Sequence, residues 1–150
     1  MKSEGVWRGL SVGCAVVAAI SAVALAGLLL TYMSGWTPLH LMAMMHVSMT
    51  LGVLLLLFLA VIGVVFAIIH FATGRRAHGL SWVLRIVGSA SVALGLLMAL
   101  HGFTAMQAAI AEVGPVSFAV TSSSWAEIAL FFVLGFGPAA IWFWVSRPRL

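Results

Sequence analysis

Four long apolar runs, at 10–33, 41–72, 82–106 and 125–145, constrain this chain more than any motif in it. A helix needs about 20 mainly apolar residues to cross the ~30 Å hydrocarbon core of a bilayer, and each run is long enough. Together they use most of the 150 residues and leave short loops and tails. Composition agrees, with 64% of residues hydrophobic, 7% charged and a mean hydropathy of +1.23, whereas soluble domains carry about a quarter charged residues. The expected fold is an all-α integral membrane protein, one transmembrane domain over 1–150 with helices at about 10–33, 41–73, 82–112 and 123–146. Such a chain has no room here for a soluble catalytic domain, a nucleotide-binding loop or a nucleic-acid surface. Neither an enzyme nor a nucleic-acid partner is expected; the lipid bilayer is.

Seven Lys and Arg residues against three acidic ones give a net charge of +4. The basic residues sit at the ends of the runs: Lys2 and Arg8, then Arg75 and Arg76, then Arg147 and Arg149. Two connections that lack Lys and Arg alternate with them. The positive-inside rule then places both termini and the 74–81 loop in the cytoplasm, as in a multi-pass protein of a bacterial inner membrane. Arg85, one turn into the third run, has the length to snorkel back to the interface. The run after Arg8 is longer than the apolar core of a signal peptide, so it reads as a retained helix. Its Gly13, Ala18, Ala22, Ala26 and Gly27 are the small residues that let membrane helices approach closely. The one cysteine, Cys14, lies inside this run and forms neither an intramolecular disulfide nor a CxxC site.

Gly35 and Pro38 end the first helix and start the second, beside Tyr32 and Trp36 at aromatic-belt positions. The second helix then opens on a dense group of metal-capable side chains. Met42, Met45, His46 and Met49 share a face by the three/four spacing, and thioether with imidazole suits Cu(I). Met is equally a flexible apolar filler. A second candidate is a b-type haem held by His46 and His101, since facing helices supply axial imidazoles in membrane bundles. Counting from the short middle loop puts His46 about seven residues further out, or roughly 10 Å at helical rise. Histidines that only hydrogen-bond at an interface are the plain alternative. On the cytoplasmic side, His70 and His78 find no in-membrane histidine on helix three to complete a haem pair.

Helix three carries Gly88, Ser89, Ser91, Gly95 and Gly102, a small and weakly polar stripe, and it overshoots the membrane through Thr104, Gln107 and Glu112 to the breaker Gly114-Pro115. Residues Thr121 to Ser124 then offer N-cap side chains for helix four. Glu127 falls in the first turn of that helix, where the dipole favours a carboxylate. It is the one acidic residue inside an apolar run, and an ionisable group at membrane depth is by default a functional-site candidate. Capping supplies about 0.3–1 kcal/mol, while a charge at the bilayer centre costs about 2.5–3.5 kcal/mol. The depth of Glu127 therefore decides whether capping explains it. Gly135, Gly137 and Pro138 predict a kink or a close contact in mid-span.

Taken in order, Leu84-Arg85-Ile86-Val87-Gly88-Ser89-Ala90, Gly95-Leu96-Leu97, Gly102, Gln107, Gly114-Pro115, Ala126-Glu127 and Gly135 resemble the last two membrane helices of the ExbB/TolQ/MotA proton-channel family. The resemblance covers 84–147. It implies a stator or energiser subunit without a cofactor, in which copies of the chain form a ring, five in that family, around single-span partner helices. It also implies that Glu127 faces the lumen as part of a proton pathway, with Ser91 and Thr104 as the polar side chains of helix three. Where the family has lumen-lining threonines this chain has Ala99 and Phe132, and the large cytoplasmic region between helices two and three is reduced to 74–81. The other readings are a haem- or copper-binding subunit of an electron-transfer complex and an accessory bundle in a larger membrane complex.

Overall fold

A computed structural model of the chain describes residues 2–35, 37, 39–40, 45–73 and 78–147, excluding the side chains of 2–4 and 78. Among the described residues four long helices follow one another: α1 (Lys2–Tyr32), α2 (Val47–Ala72), α3 (His78–Val113) and α4 (Phe118–Val145). Each is long and apolar enough to cross a membrane, and the described residues contain no strand.

The helices alternate in direction. Trp7 of α1 stacks on Phe143 of α4 with ring centroids 5.7 Å apart, and at the other end of the same pair Tyr32 meets Phe118 at 5.3 Å. Both chain ends therefore share one end of the bundle, called the terminal end here; the connections after α1 and α3 lie at the far end. α4 is central. It packs along α1 on one side and α3 on the other, and α2 lies against α3 with a lighter contact to α4. Among the described residues no Cα of α1 comes within 8 Å of a Cα of α2 or α3. The architecture is thus an open fan about α4.

Small residues bring the backbones together where α3 crosses α4. A Cβ built on Gly135 would lie 2.9 Å from the Gly95 Cα and 3.0 Å from the Ser91 carbonyl oxygen, so only glycine allows this approach. Phe131, Val53 and Leu56 are fully buried nearby, and Leu84 with Trp142 forms a second cluster toward the terminal end. α4 runs unbroken through Pro138, so Gly135 makes the expected close contact.

Four boundaries differ from the sequence expectation. α1 begins at Lys2, eight residues before the expected start at about 10. α4 begins at Phe118, with Ser117 at the N-cap position, and not near Ser123. The hydroxyls expected to cap it turn inward instead: Thr121 donates to the Phe118 carbonyl at 3.2 Å and Ser122 to Ala119 at 2.7 Å. A hydroxyl that bonds back to its own helix is satisfied inside it. The described α2 begins at Val47, with His46 as its N-cap residue at φ −58° and ψ 148°. α3 extends from His78 to Val113, 36 residues, about 54 Å at helical rise. Its overshoot ends where Gly114 takes φ +86°, a left-handed conformation that glycine adopts without strain, its N–H donating to Ile110.

Candidate functional site

Glu127 is the tenth residue of α4, in its third turn, so the expected first-turn position is corrected. The free N–H groups of a helix belong to its first turn, which puts the carboxylate out of reach of capping. Its neighbours Ala126 and Ile128 are buried and Glu127 is half-buried. Among the described residues it makes no hydrogen bond or ion pair. A carboxylate in this position has acceptor oxygens that the fold does not satisfy.

The three expected pathway residues are not brought together. Ser91 is buried opposite Gly135, eight residues or about 12 Å along α4 from Glu127, and its hydroxyl donates to the Val87 carbonyl at 2.9 Å. Thr104 is exposed and donates to the His101 carbonyl at 2.9 Å. It is two positions beyond Gly102, which faces Ile128, and two positions on a helix turn a side chain to the opposite side. Ala99 is buried in the core, and Phe132 packs on Phe136 at 5.6 Å.

At the far end the structure does bring His46 and His101 together. The Nδ1 of His46 lies 3.3 Å from the Ser48 Oγ, and the same oxygen lies 3.4 Å from the Nε2 of His101. The expected offset in depth is absent because His46 precedes α2 instead of standing on it. Both rings are exposed, and a serine hydroxyl occupies the space between them. Ser48 carried no signal of its own in the sequence. The expected methionine face is not a helical face: Met45 and His46 precede α2, Met45 and Met49 are buried in the apolar core, and Met42 lies outside the described residues. Among the described residues no three His, Cys, Asp or Glu side chains gather to hold a metal ion. His70 is buried beside Phe71; the side chain of His78 is outside the described residues.

The terminal end holds a basic corner that the sequence did not reveal. Arg85 does not simply reach for the interface. Its guanidinium lies 4.6 Å over the Trp7 ring and donates through Nη2 to the Ser146 carbonyl at 3.0 Å, joining α1, α3 and the end of α4. Arg147 follows directly and is half-buried.

No protein family, curated protein or solved structure matches this chain.

Proposed function

We propose that the chain is a membrane subunit of a proton-conducting assembly, with Glu127 as the group that takes up and releases the proton. The observation that carries this is the place of Glu127: the third turn of an apolar helix long enough to span a membrane, half-exposed and without a partner among the described residues. Capping cannot offset the ~2.5–3.5 kcal/mol cost of a charge at membrane depth. A carboxyl group that alternates between its neutral and ionised forms does not bear that cost throughout. The absence of an ion pair leaves the carboxyl free to exchange its proton with water or with a partner.

The resemblance to the ExbB/TolQ/MotA family supports the same reading through the order of small residues around this glutamate. It adds an inner-membrane location with both termini cytoplasmic, a homo-oligomeric ring and a single-span partner. Since the Ser91 and Thr104 hydroxyls are committed to their own helix, the proton meets Glu127 from water or from that partner.

Glu127→Gln keeps the size and hydrogen-bonding capacity of the side chain and removes its titratable charge. In inverted vesicles from cells carrying the chain, the variant is expected to assemble and melt as the native chain does while its proton flux, followed with a pH-sensitive dye, falls to background. Full flux from the Gln variant would overturn the proposal. So would loss of the oligomer on native mass spectrometry, which would make the residue structural.

A further inference from the structure

We infer that the terminal end binds one anionic phospholipid, its phosphate held by Arg85 and Arg147 and an acyl chain lying in the groove between α1 and α3. Two independent features meet there. The first is a pair of arginines with buried donors that meet no acceptor. A guanidinium has five N–H donors, and Arg85 spends one on Ser146. The Nε of Arg85 and the Nε of Arg147 are both buried with no acceptor. Neither arginine forms an ion pair with a described carboxylate; Glu112 ends α3 at the far end and Glu127 lies in the half of α4 nearer that end. Buried donors without acceptors are costly, so the fold leaves these guanidinium groups under-satisfied, and phosphate oxygens match the planar fork of arginine at its terminal N–H groups.

The second feature is the groove. Because the Cα traces of α1 and α3 stay more than 8 Å apart, a cleft of about 470 Å³ runs between them, walled by Gly9 and Gly13 on one side and Ser89 and Ala93 on the other, with Phe136 and Phe143 as its floor. Space is open over both glycines, where an added Cβ would meet nothing within 4 Å. Ser89 stands one turn from Arg85 on the same face of α3, and Phe143 stacks on Trp7, the ring beneath the Arg85 guanidinium. The apolar slot thus opens next to Arg85, whose acceptor Ser146 directly precedes Arg147. A phosphodiester headgroup with a hydrocarbon chain satisfies both at once, in the manner of basic pockets between membrane helices that hold anionic headgroups. Free phosphate would answer only the arginines, and a helix of a second copy only the groove. The site does not involve Glu127 and stands apart from the proton pathway.

The test is native mass spectrometry of the full chain in mild detergent, titrated with dioleoyl phosphatidylglycerol, dioleoyl phosphatidylcholine or inorganic phosphate. One phosphatidylglycerol per chain is expected, with phosphatidylcholine about tenfold weaker, the scale of one charge-assisted hydrogen bond, and no retained phosphate. Arg147→Gln, which lies beyond the helices, and Arg85→Gln should each weaken phosphatidylglycerol about tenfold. Ala93→Phe, which fills the groove from an exposed position, should weaken it too, while Arg8→Gln should not. Equal binding of the two lipids, unchanged binding by Arg147→Gln, displacement of the lipid by inorganic phosphate, or a chain dimer in its place would each overturn the assignment.

Discussion

α1 and α4 are of similar length, 31 and 28 residues, and similar mean hydropathy, 2.5 and 2.1 over their spanning portions, yet 11% of the most apolar stretch is buried in α1 and 56% in α4. Hydropathy qualifies a helix to cross a bilayer and says nothing about which helix becomes the centre. What separates the two is the use of small residues. Gly135 of α4 meets the α3 backbone at Gly95, whereas Gly5, Gly9, Gly13 and Gly27 of α1 face open space. Of the small α1 residues expected to pack, Ala18 approaches α4 at Gly137, while Gly13, Ala22, Ala26 and Gly27 are exposed. The same side-chain class closes a contact in one helix and leaves a groove beside the other.

This contrast is open to graded tests by reversible unfolding in detergent. Phe131→Ala empties the fully buried centre of α4 and is expected to cost about 3–5 kcal/mol. A value under 1 kcal/mol would deny α4 its central place. Gly135→Val comes next, because the added carbons meet backbone that cannot rotate away; overpacking of this kind costs about 1–3 kcal/mol. Ser11→Ala removes the buried hydroxyl that α1 donates to the Ala140 carbonyl at 3.0 Å. Membrane hydrogen bonds of this type average about 0.6 kcal/mol, so a small loss should appear. Gly13→Ala, in open space, should change stability by no more than about 0.5 kcal/mol. If it instead rivals Gly135→Val, the two helices are not as different as their burial indicates.

The number of helices and their approximate spans were legible in the sequence, because four apolar runs of sufficient length leave few alternatives. The end of α3 was legible as well, since Gly114 and Pro115 are local signals with local consequences. The start of α4 was not. Thr121 to Ser124 has cap chemistry, but hydroxyls bonded to carbonyls three residues back make the same residues compatible with a helix interior. That choice moved Glu127 from a first turn to a third and removed the structural explanation for it. The meeting of His46 with His101, and of Arg85 with Trp7 and Ser146, joins positions 53 or more apart in the chain. Such pairs depend on which helices become neighbours, and no periodicity within one helix encodes that.

The fan about α4 also sets an order of events during synthesis. α1 precedes the other three described helices, but the one it packs along is the fourth of them, and among the described residues its Cα trace approaches neither of the two that come between. α2 and α3 can pair as soon as both have appeared. Apart from the Arg85 contact with Trp7, the leading helix therefore lacks its main packing partner until residues Phe118–Val145 arrive. Its fastening therefore follows the pairing of α2 with α3, and a ribosome stalled before Phe118 leaves the first helix without the partner that it packs along.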